Sequence, residues 1–272
     1  MSPSVMLGAV SKMTRLDVLV FQRGLAASRE QARRLILAGQ VAVRGQIVAK
    51  AGAVVHPEAE IEVRQGPAYV SRGGYKLAKA LETFAIVVEG RVAADVGTST
   101  GGFSDCLLQH GARRVYAIDV GYGQLAWTLR QDARVVVMER TNARHLESLP
   151  EPISLVTIDV SFISLHHILP QVRRWLAAGG EVVALVKPQF EVGRRSVGKG
   201  GVVRDRAVHR QVLRQVLTRA REEGWSLLGL TVSPLAGPKG NIEFLAWLAP
   251  DGERPSLVVE TAVESALSAL EQ

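Results

Sequence analysis

The sequence predicts an α/β protein, with a small basic α+β module followed by a larger domain built on a mostly parallel sheet. Three observations carry that expectation. From residue 91 onward, short apolar runs alternate with helical patterns, as repeated β-α units and a parallel sheet with helices on both faces require. The last two apolar runs are joined by a short connection, which suggests an antiparallel edge. Residues 1–66 hold nine basic and five acidic residues, so a net of +4 out of +7 lies in the first quarter of the 272-residue chain.

Composition narrows the class. Apolar residues make up 47% and charged residues 22%, which supports a packed core and argues against general disorder. The one cysteine, Cys106, excludes a disulfide framework and a cysteine-cluster zinc site. No apolar stretch approaches the roughly 18 residues that span a bilayer. The opening MSPSVMLGAVSKM has no basic residue ahead of its apolar patch, so it reads as a frayed terminus and not as a secretory signal. A cytoplasmic protein with an anionic partner, no membrane and no metal is expected.

In the first module Leu16, Leu19 and Val20 sit at helical spacing, and Gly24 stops the run. Ser28 and Gln31 form an S-x-x-Q capping box for a second helix, with Ala32, Leu35 and Ile36 as its apolar stripe and Gly39 as its stop. Arg29 and Arg33 share a face, flanked by Arg34. VAVRGQIV reads as two short strands around Arg44-Gly45, and AEIEV as a further strand. Two basic helices followed by small strands resemble the S4 RNA-binding module, over residues 14–63. The resemblance implies an RNA grip made by Arg15, Arg23, Arg29, Arg33, Arg34 and Arg44; a solvated helix face is the plain alternative for such arginines. The expected division is 1–64 for this domain, 65–74 for a linker opened by Gln65-Gly66-Pro67-Ala68, and 75–272 for the larger domain.

The larger domain reads as VAADVG (strand), FSDCLLQH (helix), VYAIDV (strand) and QLAWTLR (helix). The strands VVVMER, SLVTIDV and EVVALVK follow, with HHILPQVRRWLA as helical material between them. WSLLGLTVS and IEFLAWLA, joined through LAGPKGN, make the closing pair, and SLVVETAVESALSALEQ a terminal helix. The first strand runs into a glycine turn, with Asp95, Gly97, Thr98, Gly101, Gly102 and Phe103 in order. Such a turn lets a cofactor approach backbone and a helix N-terminus. Serine at position 99 disfavours a dinucleotide fingerprint, and no G-K-[ST] follows to make a Walker loop. The second strand ends in Asp119, where an acid would accept hydrogen bonds from a ribose diol, or cap a helix. Asn142, after Arg140 and Thr141, would edge an adenine ring, or simply make a turn. This arrangement resembles the class I methyltransferases, which implies S-adenosyl-L-methionine as cofactor.

Seven of the 33 basic residues are lysines, so their placement is informative. Lys76 lies in SRGGYKL, Asp159 in TIDVSFIS, Lys187 in LVKPQFE and Glu243 in GNIEFL. If the last strand is antiparallel, the topology brings Asp159, Lys187 and Glu243 to the cofactor edge of one sheet. A structural ion-pair cluster is the alternative. The four resemble the K-D-K-E tetrad of FtsJ-like RNA ribose 2′-O-methyltransferases. The whole order of motifs is similar to the TlyA family, which joins an S4 domain to that enzyme. The resemblance implies methyl transfer to a ribose 2′-hydroxyl of rRNA, at cytidine, with rRNA or a ribosomal subunit as partner. Lys187 would be the base, Lys76 would hold the 2′-oxygen or stabilise negative charge developing on it, and Asp159 and Glu243 would orient the lysines and balance the charge of the site. The alternatives are a non-catalytic RNA or ribosome assembly factor and, from the older label of many members, a hemolysin. Tyr69 departs from the family, whose linkers often carry tryptophan there. His166-His167 read as surface or packing residues on a helix. Arg194, Arg195, Lys199 and Arg204, after Lys187, belong either to a lid over RNA or to a plain surface loop.

Overall fold

A computed structural model describes residues 13–64, 66–192, 200–252 and 254–271. Arg194, Arg195 and Lys199 lie outside the described residues, as do the first twelve residues and Gln65. The chain forms two units, residues 1–68 and 69–272.

In the first unit β1 (Thr14–Arg15) leads into α1 (Leu16–Gln22), followed by α2 (Arg29–Leu37), β2 (Val41–Val43), β3 (Gln46–Ile47), β4 (Val54–Val55) and β5 (Ile61–Val63). The capping box forms: Gln31 N–H donates to Ser28 Oγ at 3.1 Å, and Gln31 Oε1 accepts from the Ala27 N–H at 2.7 Å. Arg44 and Gly45 both have positive φ, +50° and +78°, the backbone that closes a two-residue hairpin between Val43 and Gln46. Strands order as β3-β2-β5, and β1 pairs with β4. Leu16, Val20, Ala32, Ile36 and Val41 make the core. The two-residue strands β1 and β4 were not expected, because so short a run has no period to detect.

The second unit opens with α3 (Arg72–Thr83), whose N-cap Ser71 accepts from the Gly73 N–H. Helix therefore starts inside the stretch expected to be linker, and Arg72, Gly73 and Gly74 belong to it. The glycine pair hid this. Packing explains Gly74, where a Cβ would lie 2.2 Å from the Tyr69 ring. Next come β6 (Val92–Val96), α4 (Gly102–Gln109), β7 (Arg114–Ile118), α5 (Trp127–Arg130), β8 (Val135–Met138) and β9 (Ile153–Ile158). The chain continues through α6 (Leu169–Trp175), β10 (Leu176–Val186), α7 (Pro188–Glu191), α8 (Arg206–Glu222), β11 (Trp225–Val232), β12 (Phe244–Pro250) and α9 (Val259–Ser268).

The sheet order is β11-β12-β10-β9-β6-β7-β8, parallel from β10 to β8, with β12 antiparallel to both neighbours. Alternate residues of β10 serve opposite layers. Val182, Ala184 and Val186 join Leu169, Val172, Leu213 and Val263 of α6, α8 and α9. Val183 and Leu185 join Leu77, Phe103 and Leu107 of α3 and α4. Helix α5 has four residues, shorter than QLAWTLR, because the Ala126 N–H is tied to the Thr100 carbonyl at 3.1 Å and holds the approach extended. Similarly, the Leu257 N–H donates to the Leu227 carbonyl, so the last helix begins only at Val259.

Candidate active site

The sheet's topology places three charged residues at one edge. Asp159 follows β9 and Lys187 follows β10, both parallel strands that end there. Glu243 precedes β12, and because that strand runs the other way, Phe244 pairs with Val186. Lys76 comes from the first half of α3, which packs over the sheet. Its Nζ meets Glu243 Oε2 at 2.5 Å; Lys187 Nζ meets Asp159 Oδ1 at 2.6 Å and donates to Ser161 Oγ at 3.0 Å. The Lys76 and Lys187 side chains are 9% and 10% exposed, so each ammonium is desolvated and carries its counter-charge with it. All four residues line a cleft of about 390 Å³, with Ser71, Gly73, Gly97, Thr98, Gly102 and Phe103. Glu243 Oε1 is buried beside this cleft without a hydrogen-bond partner among the described residues.

A second cleft, about 460 Å³, adjoins the first and shares Gly97, Ser99, Asp159 and Ser161 with it. Its walls include Val96, Asp119, Asn142, Phe162 and Ile163. At Gly97 φ is +87°, and a Cβ would come within 2.5 Å of the Asp159 carbonyl oxygen, so only glycine brings the turn this close. Asp119 holds the turn from beyond β7, its two oxygens accepting from the Ser99 N–H at 2.7 Å and the Gly121 N–H at 2.6 Å. Asn142 Oδ1 accepts from the Arg144 N–H at 3.1 Å, which is the turn role held open for it, while the residue still lines the cleft.

Two expected cofactor contacts sit elsewhere. Asp95 is fully buried and lines neither cleft; it accepts from the Ser104 N–H at 2.9 Å and Oγ at 2.7 Å, and from Thr157 Oγ1 at 3.3 Å. Burial, reinforced by the charge of Asp159, pushes its carboxyl up to about 7 against the opposing bonds from Ser104 and Thr157. Gly101 packs against Leu125 and Leu129 and lines neither cleft. Sequence reasoning missed Ser161 and Ser71. Ser161 stands two residues after Asp159 in TIDVSFIS, and that proximity was the available signal.

The pattern of an FtsJ-like methyltransferase matches residues 69–249, and that of an S4 domain matches residues 14–61. The chain belongs to the FtsJ-like methyltransferase family. It is 51% identical over 250 residues to YqxC, a candidate rRNA methyltransferase of Bacillus subtilis (strain 168), covering 89% of this chain and 88% of that one. TlyA of Mycobacterium tuberculosis (strain ATCC 25618 / H37Rv), a 16S/23S rRNA (cytidine-2′-O)-methyltransferase, is 46% identical over 265 residues, 95% of this chain and 99% of that one. Among solved structures, a candidate hemolysin from Streptococcus thermophilus superposes with a TM-score of 0.73 at 44% identity, covering 96% of this chain and 97% of that one.

In this FtsJ-like methyltransferase the first unit carries all six expected arginines at its surface. Two are organised by a residue not singled out from the sequence. Asp17, fully buried, is gripped by Arg15 through Nε at 3.0 Å and by Arg29 through Nε at 3.2 Å. The hydrogen bond from Arg15 holds the Asp17 carboxyl below its usual range, with Arg29 assisting against the opposing effect of burial. Arg23 instead donates to the Ala59 carbonyl at 2.7 Å and to that of Pro57, tying down the turn before β5. His166 and His167 lie on a helix of one 3-10 turn, Leu165–His167. Among the described residues, no helix is long and apolar enough to cross a membrane.

Proposed function

We propose that this chain transfers a methyl group from S-adenosyl-L-methionine to the ribose 2′-hydroxyl of a cytidine in rRNA. The observation that carries the reading is the pair of buried lysine–carboxylate contacts in a cleft that opens onto the glycine turn. S-adenosylmethionine, when bound, supplies an electrophilic methyl group on a sulfonium.

The residues present fit that cofactor. Glycine at position 97 lets the turn close on the Asp159 carbonyl where a Cβ would clash, and the cleft wall offers a carboxylate, an amide and apolar surface. Asp119 would hold the ribose diol and Asn142 the adenine edge; Gly97, Thr98, Gly102 and Phe103 would shape the end nearest the lysines. Asp95 and Gly101 act from beneath, as support for the turn.

The chain's own groups then divide the work. A ribose hydroxyl is a weak nucleophile, so alignment and a base are both needed. Lys187 takes the hydroxyl proton once it holds a lone pair, and Asp159 and Ser161 fix its direction. Lys76 faces the developing negative oxygen, with Glu243 Oε2 holding the ammonium in place. General-base assistance of this kind is worth roughly 100- to 10,000-fold. The S4 unit, with its arginine surface, would bring rRNA or a ribosomal subunit through phosphate contacts, in the cytoplasm where ribosomes are found.

The test is transfer of labelled methyl groups from S-adenosylmethionine to rRNA, with 2′-O-methylation mapped with and without the protein. Lys187→Ala should abolish transfer while calorimetry still detects S-adenosylmethionine binding. Undiminished transfer by that variant would remove the lysine from its role.

A further inference from the structure

Glu191 ends the one-turn helix α7, three residues after the Lys187–Pro188 step, and the chemistry above makes no use of it. It is partly buried, and both of its oxygens reach back to the loop that follows β9. Oε1 accepts from the Leu165 N–H at 2.9 Å, and Oε2 accepts from the Ser164 hydroxyl. Because that hydroxyl hydrogen is directed to Glu191, the 2.7 Å contact between Ser164 Oγ and His166 Nδ1 has the imidazole N–H as donor. Burial pushes the Glu191 carboxyl up, against the opposing bonds from Ser164 and Leu165 and the charge of Arg219.

The two segments joined by this carboxylate are the two that carry the reacting pair. The loop after β9 presents Asp159 and Ser161; the segment after β10 presents Lys187. Between the active-site contacts and the Glu191 contacts, Phe162 packs on Phe190 with ring centroids 4.8 Å apart. Helix α7 has one turn, with the Phe190 N–H donating to the Lys187 carbonyl at 2.9 Å, so a shift at its C-terminal end is passed directly to Lys187. A helix this short has no stability of its own and takes its place from tertiary contacts.

We infer that Glu191 is a positioning residue for the Lys187–Asp159 pair: its carboxylate clasps Ser164 and Leu165 and so sets the approach of Lys187 to the substrate hydroxyl. The assignment rests on the methyl-transfer reading. It concerns alignment, so it bears on the rate of the bound complex and not on cofactor affinity, since Glu191 lines neither of the two clefts.

The experiment measures methyl transfer from S-adenosylmethionine to rRNA by the full chain, with kcat, both KM values, calorimetric affinity for S-adenosylmethionine and melting temperature. Glu191→Ala should lower kcat tenfold or more, with both KM values and cofactor affinity within twofold. Glu191→Gln, which keeps an acceptor for the Leu165 N–H, should recover part of the loss. Ser164→Ala removes the other end of the clasp and should lower kcat too. Adding it to Glu191→Gln should cost less than the product of the two separate effects, because both act on one contact. An active parent with Glu191→Ala and Ser164→Ala both within twofold in kcat overturns this assignment alone, as does a loss of cofactor affinity that parallels the loss of kcat. A parent that methylates no RNA overturns the underlying reading and this assignment with it.

Discussion

Replacing Asp95 by asparagine separates support of the cofactor turn from contact with the cofactor. A carboxyl near 3.9 in the unfolded chain rises to about 7 in the fold, so the folded state binds the proton more tightly. With the folded value raised, the stabilisation linked to that proton is complete below about pH 4 and is lost as pH rises through about 7. At 1.36 kcal/mol for each tenfold step in proton affinity, the full swing is about 4 kcal/mol. Asparagine keeps an acceptor for the Ser104 N–H and Oγ and cannot ionise. Its amide meets Thr157 Oγ1, a hydroxyl that already has the Ala94 carbonyl as a second partner. The difference in unfolding free energy, variant minus parent, should therefore climb between pH 5 and about pH 7 and level off by pH 8, a rise of about 2–3 kcal/mol. Urea melts followed by the fluorescence of the four tryptophans measure it at each pH. Calorimetry on the same samples should find S-adenosylmethionine affinity within a few-fold of the parent. A stability difference that stays flat across this range would refute the buried-carboxylate argument. A large loss of affinity at unchanged stability would instead return Asp95 to the cofactor.

Four further outcomes are expected. Gly97→Ala puts a methyl group against the Asp159 carbonyl in a left-handed backbone, so it should abolish S-adenosylmethionine binding in calorimetry and lower the melting temperature by several degrees. Lys76→Met leaves the Glu243 carboxylate buried and unpaired, destabilising the fold by about 3–5 kcal/mol in chemical denaturation, and adding Glu243→Gln to it should recover most of that loss. Arg29→Gln and Arg15→Gln should each reduce the slope of log affinity for RNA against log salt by about one, in filter binding over a range of salt concentrations. Asp17→Asn should weaken RNA binding through both arginines without changing any side chain that faces the solvent.

Much of this arrangement was legible because strand and turn signals are local. The capping box at Ser28 and Gln31, the hairpin at Arg44-Gly45 and the glycine turn at Gly97 each rest on residues within a few positions of one another. The edge that collects Asp159, Lys187 and Glu243 also followed from the sequence, since it needed only strand order and the reversed direction of the last strand. Asp95 and Asp119 were not separable in that way. Both acids close apolar strands, yet Asp95 shares the face of Ala93, two residues before it, which lies toward the layer of α3 and α4, so it points beneath the turn. Asp119 stands beyond the last strand residue and reaches the cleft.

By itself the sequence determined the two modules, the mostly parallel sheet with its antiparallel partner, and the cast of charged residues at one edge. Only the tertiary structure decided how those residues pair. Lys76 meets Glu243 across 167 positions because α3 lies over the sheet, and no local pattern encodes the distance between a helix face and a strand end. The same holds for Asp17 between two arginines and for Glu191 against Ser164 and Leu165. A buried charge is stable only beside its partner, and packing alone brings such partners together.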